Sequence, residues 1–300
     1  MIVEHYPFYL NVLSQLPYKA ATRIARRKWR GYSEVEGFFT CKHGLEIGGP
    51  SRIFQKNRLI PVYDRCESLD DCNFAAETIW GDARGEDFGR YRGKRFVADA
   101  CDLSVVPDGT YDFVLASHVL EHIANPLRAL QEWKRVLAPA GSLLVIVPDK
   151  RGTFDRRRAF TSFDHLQADF RANAPQDDMT HLNEILELHD LRLDPPAGSH
   201  NEFRERCLRN VSIRAMHHHV FSAEVLIRMF SWLSMPIIKI SIELPFHIIV
   251  FAGGMDSCDG EKLRLHSVDF LRENADWRRH DPLRNSRFGR STLSKLDYLS

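Results

Sequence analysis

From Gly44 onward the chain alternates short apolar runs with helical stretches, and this pattern commits it to βα units around a largely parallel sheet. The runs predict strands at 44–47, 59–63, 95–98, 112–116, 142–147, 236–243 and 246–252. Between them the clearest helix covers 125–137, where Leu127, Leu130, Trp133, Val136 and Leu137 recur at helical spacing and Gly141 follows soon after. A second helix runs from Ala223 to Leu233, with Ser222 able to cap its first turn. Pro245 separates the last two runs, so they form a hairpin and the final strand is antiparallel to the rest.

Two parts depart from the alternation. Residues 151–220 are rich in charge and histidine and interrupt the core between its fifth and sixth strands. An insertion there rises from the carboxyl end of the sheet, where open α/β folds bind ligands, so it is expected to be a substrate-facing cap. The polar stretch 255–300 is expected to form a surface tail. Residues 1–43 are expected to form an N-terminal helical extension, with a helix over 8–31 carrying Leu10, Leu13, Leu16 and Ile24 and ending in the basic run 26–30. The core domain is therefore expected over 44–254, with 151–220 as its inserted cap.

Composition narrows the partners. Lys and Arg number 41 against 40 Asp and Glu, a formal net charge of +1, so no global field draws the protein onto nucleic acid, and no nucleic-acid partner is expected. The apolar stretch from Met235 to Gly254 is interrupted by Lys239, Glu243 and two prolines and fails as a membrane span. The basic N-terminal run still leaves a peripheral membrane contact open. The first residues lack the pattern of a secretory signal. The six cysteines are scattered without a CxxC pair, which fits reduced thiols in a cytoplasmic protein.

The chemistry concentrates at predicted strand ends. Leu45-Glu46-Ile47-Gly48-Gly49-Pro50 runs an apolar strand into a glycine pair that lets backbone approach a ligand closely. The run 59–63 ends at Asp64, where a carboxylate can accept from both hydroxyls of a ribose. The next ends in Asp99-Ala100-Cys101-Asp102, placed to accept from an adenine amino group. The fourth leads into Ser117-His118-Val119-Leu120-Glu121-His122-Ile123. These ends converge on one crevice.

Over 44–149 this ordered set resembles the class I methyltransferases, in particular the broad family called type 11 methyltransferases. Glu46, Gly48 and Gly49 match its acidic residue and glycine loop, Asp64 its ribose-binding acid and Asp99 its adenine-side acid. Residues 119–123, then Arg135-Val136-Leu137 and Gly141, match its later core. The resemblance implies a Rossmann-like seven-stranded methyltransferase sheet, mostly parallel with an antiparallel last strand, and S-adenosylmethionine as cofactor. It also implies cofactor contacts from Glu46, Gly48, Gly49, Asp64, Asp99, Ala100, Ser117 and His118. Pro50 stands where many members keep a glycine-rich loop. The alternative is therefore a non-catalytic cofactor-binding or scaffolding module of a biosynthetic assembly.

Methyl transfer to a hydroxyl calls for a general base, and histidine is suited to that task near neutrality. His217-His218-His219 precede the Ser222-capped helix and return the chain towards the crevice, so His218 and His219 are the expected base or acceptor contact. Arg151, Arg156 and Arg157 follow the fifth strand and could grip a phosphate or carboxylate. Together they point to O-methylation of a glycan-related or other small polar acceptor. His181 and His189, with Asp177, Asp178 and the triplet, could supply metal ligands, as a metal-dependent hydrolase would need. No compact ligand motif such as HExxH supports this, and no metal site is assigned. The sequence does not define an oligomeric state.

Overall fold

The computed structural model describes residues 28–78, 93–243 and 245–253. The predicted helix over 8–31 lies outside the described residues except for its last four, which are irregular, and the tail 255–300 lies outside them entirely.

Seven strands form one sheet: β1 (His43–Ile47), β2 (Ser68–Asn73), β3 (Arg95–Val97), β4 (Tyr111–Ser117), β5 (Leu137–Pro148), β6 (Ile237–Glu243) and β7 (His247–Gly253), in the order β3-β2-β1-β4-β5-β7-β6. The first five pair in parallel, and β7 runs antiparallel to both β5 and β6. Strand order reverses between β1 and β4, the switch point at which open α/β sheets leave a crevice beyond the carboxyl ends of their strands.

The central strands read as continuous apolar runs because both faces are covered. Val114, Ala116, Leu143, Val145, Val147, Ile248 and Val250 face one cluster, packed on α2 (Pro126–Arg135) and α7 (Ala223–Trp232). Phe113, Leu115, Leu144, Ile146, Ile249 and Phe251 face the other, built with Trp29, Tyr32, Phe39 and Phe54. Tyr32 lies on the short α1 (Tyr32–Val35). Each such fully buried side chain contributes about 1.5–3 kcal/mol of transfer free energy.

Asn125 caps α2 by accepting from the Arg128 amide at 3.2 Å, and Pro126 opens its first turn. The helix stops at Arg135, before Val136 and Leu137, and Leu137 already opens β5. Ser222 caps α7 by accepting from the Val225 amide at 3.1 Å, as the sequence predicts.

One predicted strand is corrected. Residues 59–63 form no strand, and β2 is instead the polar run Ser68-Leu69-Asp70-Asp71-Cys72-Asn73. Leu59, Ile60, Val62 and Tyr63 are apolar because they close the second cluster as an irregular cover, held by bonds such as Ile60 N to Ile53 O. The β2 carboxylates are satisfied by groups distant in sequence. Asp70 accepts from the Lys94 amide and the Tyr111 hydroxyl, and Asp71 accepts from Arg95.

Between β5 and α7 lie α3 (Phe163–Ala172), α4 (Leu182–Leu188), α5 (His200–Leu208) and α6 (Asn210–Ile213), joined by 3-10 turns. Their apolar cluster is small: Ile185, Ala197, Phe203, Cys207 and Met216. Buried with it are Asp155, Arg158, His189, Asp190, Asn210, His218 and His219.

Candidate active site

At the switch point β1 ends in Glu46-Ile47-Gly48-Gly49. Gly48 has φ +72°, and a Cβ there would stand 2.5 Å from Val119 Cγ2, while one on Gly49 would stand 2.4 Å from the Glu46 carboxyl carbon. The turn is thus a cradle that accepts backbone alone, which fits a ligand laid against main chain. Glu46 does not line it. Its buried carboxyl accepts from the Ser51 amide at 2.9 Å and the Tyr63 hydroxyl at 2.8 Å, so it fixes the turn from beneath. Burial pushes it up to about 8, with the Ser51 and Tyr63 bonds opposing.

Asp64 is a correction that follows from β2. It sits exposed in the turn before that strand, where Cys41 N donates to Arg65 O and Glu67 N to Lys42 O, at the amino edge of the sheet. The carboxyl end of β2 presents Asn73 instead, whose Nδ2 donates to Gly49 O at 2.6 Å. Sequence reading misses Asn73 because it requires an acid, although an amide can also bond ribose hydroxyls.

Asp99, followed by Ala100, lies beyond β3. Its carboxylate accepts from Cys101 N at 2.8 Å, Gln176 Nε2 at 3.3 Å and Arg214 Nη2 at 3.1 Å. Gln176 and Arg214 belong to the segment between β5 and α7, so that segment reaches the crevice at Asp99. The Arg214 guanidinium also stacks over Phe74, just past β2, at 5.3 Å.

β4 delivers Ser117 and His118. His118 takes φ +55°, uncommon for a side-chain-bearing residue, and its amide donates to Ile146 O at 2.8 Å. Its Nε2 meets His247 Nδ1 at 2.9 Å, and its Nδ1 lies 3.4 Å from Glu121 Oε1. Glu121 is fully buried. Burial opposes its charge, but His118, His122 and His217 outweigh it and hold the carboxyl below the usual range. His247 is held well below the usual histidine range by burial and by the neighbouring His118.

Glu121, His122 and His217 each bring a ligand-type atom within 4.8 Å of the others. His122 Nδ1 faces Met216 O at 3.2 Å, and His217 Nδ1 meets Asp155 Oδ2 at 2.5 Å. Asp155 is in turn bound by Arg158 Nη1 at 3.0 Å, and that guanidinium also donates to the carbonyls of His217 and His218. Burial disfavours the charge on His217, but Asp155 raises its pKa above the usual value.

Both histidines predicted as base are interior. His218 packs against Asn210 with Nε2 3.2 Å from Nδ2, and burial, reinforced by His181, lowers it to about 4. His219 donates its amide to Glu121 O at 3.3 Å, its Nε2 lies 3.1 Å from Ala124 O, and burial holds it well below the usual range. They brace the crevice wall from behind. The member of the triplet beside Glu121 is His217. Of the arginines, Arg151 binds Asp149 through Nε at 2.9 Å, while Arg156 and Arg157 reach Asp190 at 2.5 and 3.7 Å. Their charges are matched within the fold, a role that run composition does not distinguish from anion binding.

A family model described as "Methyltransferase domain" matches residues 70–145, the stretch that carries Asn73, Asp99, His118 and Glu121. No curated protein matches the chain. Among solved structures, similar chains include a SAM dependent methyltransferase from Aquifex aeolicus, at 12% identity over 83% of this chain and 98% of that one, TM-score 0.41. Another is an S-adenosylmethionine dependent methyltransferase from Mesorhizobium loti, at 10% identity over 74% and 97%, TM-score 0.45. The trans-methyltransferase CalH, in complex with SAH, is 16% identical over 72% of this chain and 51% of its own, TM-score 0.41. The strand order and the glycine turn at its switch point are those of an open, Rossmann-like α/β sheet, and residues 70–145 of it match the methyltransferase domain model.

Among the described residues, no helix is long and apolar enough to cross a membrane.

Proposed function

We propose that this chain is a class I, S-adenosylmethionine-dependent methyltransferase and that it acts on an oxygen of a small polar acceptor, glycan-related or similarly hydroxylated, beside His118, Glu121 and His217. The observation that carries this reading is the polar cluster beyond the end of β4, where the buried Glu121 carboxylate meets His118, His122 and His217. A buried carboxylate and several imidazoles suit hydroxyls, whereas an apolar acceptor would leave them without partners.

The cofactor supplies an activated methyl group on a sulfonium, so the chain's own task is to align the acceptor and take its proton. Gly48 and Gly49 would hold the cofactor against backbone, with Asn73 and Asp99 at the neighbouring strand ends and Ala100 and Ser117 beside them. We assign proton transfer to His118 in place of His218 and His219, because its side chain is 29% exposed and theirs are at most 1% exposed. The acceptor hydroxyl would take the place of His247 on His118 Nε2 and pass its proton there. Glu121 keeps the ring oriented through Nδ1 and stabilises the imidazolium that forms, as a carboxylate does behind a histidine base.

Residues 151–220 are read as the substrate-facing cap, since Gln176, Arg214 and His217 come from it. The Cys72 and Cys101 thiols are both pushed up to about 12 by burial, which keeps them protonated and unreactive.

Transfer of labelled methyl groups onto hydroxylated acceptors tests the reading. His118→Gln should lower kcat by about 10²–10⁴-fold, with cofactor affinity within a few-fold of wild type. Unchanged kcat, or methylation confined to proteins or apolar metabolites, would overturn it.

A second reading, a cofactor-binding or scaffolding module without turnover, draws on Asp99, whose carboxylate is already matched by Arg214 and Gln176. Saturable cofactor binding with no methyl transfer from cell extract, together with a tight partner complex, would favour it.

A further inference from the structure

We propose that residues 151–220 contain a divalent-metal site, of the zinc class, formed by His165, Asp169, His181 and His219 and separate from the methyl-transfer crevice. His165 and Asp169 are four apart on α3, which puts both on one helix face. His181 immediately precedes α4, and His219 lies on the extended stretch leading to α7. Three separate pieces of chain therefore deliver one nitrogen each, with ligand atoms all within 4.8 Å of one another.

The spacing has the scale of a coordination shell. His165 Nε2 stands 3.0 Å from His181 Nε2 and 3.2 Å from Asp169 Oδ2, and His219 Nε2, which would give up its bond to Ala124 O on binding an ion, stands 3.9 Å from that same oxygen. Four ligands at zinc distances of about 2.0–2.2 Å in a tetrahedron lie about 3.3–3.6 Å from each other. These edges bracket that value, so small side-chain adjustments would centre an ion.

One buried atom points to a missing partner: Asp169 Oδ2, beside the His165 and His219 imidazoles, has no hydrogen-bond partner. An outer shell is also present. His181 Nδ1 faces Glu184 Oε2 at 3.5 Å, the carboxylate–histidine arrangement that orients a metal-bound imidazole, and Glu184 is paired to Arg158 at 3.3 Å. His165 is partly exposed and gives the ion a route in.

Three imidazoles and one carboxylate form a closed four-coordinate set, as in structural zinc sites. The site would tie α3 and the His181 turn to the 217–222 stretch, which itself hydrogen-bonds the turn after β4 through His219 N to Glu121 O. Sequence reading selected His181 and the triplet, but it paired them with His189. His189 instead stacks on Phe154 at 4.4 Å between ring centroids and faces Asp194 at 3.2 Å.

The test uses the full chain without an affinity tag, loaded with zinc or cobalt, dialysed against a weak chelator and analysed by elemental mass spectrometry. The expected result is about one zinc per chain and, with Co²⁺, the intense visible bands of four-coordinate cobalt. Both signals should be lost in His181→Ala and in Asp169→Asn, and kept in Glu121→Gln. His165→Gln, at the more exposed ligand, should weaken zinc binding at least tenfold with an unchanged circular dichroism spectrum. Substoichiometric metal in the wild type, retention in His181→Ala, or loss that follows Glu121→Gln instead would overturn the assignment.

Discussion

The sheet and the segment inserted between β5 and α7 are held together by different chemistry. The sheet buries alternating apolar side chains on two faces, such as Val114 and Ala116 against Phe113 and Leu115. The inserted segment has few buried apolar groups and instead buries charges and imidazoles, with Arg158, 1% exposed, at their centre. Apolar packing is non-directional and tolerates local adjustment, whereas a buried polar network stabilises only while its bonds are complete. The sheet should therefore fail globally and gradually, and the insertion locally and abruptly.

The largest effects test this contrast directly. Trp133→Ala in α2 should cost about 3–5 kcal/mol, seen as a lower midpoint of one global denaturant transition. Arg158→Met should cost a similar amount, about 3–5 kcal/mol, by leaving Asp155 Oδ1 and two carbonyls without their Arg158 donor. Its signature should differ: hydrogen exchange rising across 151–220 while β4 and β5 stay protected. Equal loosening of sheet and insertion in both variants would break the comparison.

The insertion, with the sheet end it packs on, should respond to pH oppositely to the β1 and β2 region. In the insertion burial lowers His218 to about 4 and holds His219 well below the usual range, and it acts the same way on His122, lowered to about 3, and on His247 at the adjoining ends of β4 and β7. The fold binds these histidines neutral, while an unfolded chain protonates them below about 6.5. Their stability is complete above that value and is lost as pH falls towards 4 and 3. Asp155, held low by His217 and Arg158 against its burial, also loses its contribution in acid. His217 opposes the trend, since a raised pKa gives stability that fades as pH rises.

In the sheet, burial pushes Glu46 up to about 8 and Asp71 up to about 6, the latter against the pull of Arg95. These carboxyls stabilise most below about 4 and lose that contribution as pH rises through 6 and then 8. Exchange corrected for its intrinsic pH dependence should show 151–220 and the adjoining ends of β4 and β7 opening in acid, and the β1 to β2 region loosening as pH rises from about 4 to 8. The smallest effect follows: Glu46→Gln should be within about 1 kcal/mol of wild type at about pH 4 and should flatten the loss between about pH 4 and 8, measured by urea denaturation.

The same contrast explains what was legible in the sequence. β1, β4, β5 and β7 could be read because strands buried on both faces are apolar throughout, and Ser222 and Gly48 carry local signals of cap and turn. β2 was missed because its acids are satisfied by Lys94, Tyr111 and Arg95, partners that exist only after folding. The apolar run 59–63 was apolar for cover and not for pairing, and Asp64 went to the wrong edge with it. Histidine spacing likewise brought the triplet near the crevice, but which ring nitrogen faces which partner is fixed by Asp155, Asn210 and Ala124 in three dimensions.

The central claim is a cofactor site at the β1 and β4 switch point, and calorimetric titration with S-adenosylmethionine tests it most directly. Wild-type protein and Asp64→Ala should bind alike, since Asp64 lies at the opposite edge, while folded Gly48→Val should lose binding because a side chain there meets Val119 and cannot keep the positive φ of the turn without strain. Absence of wild-type binding, or undiminished binding by Gly48→Val, would contradict the account.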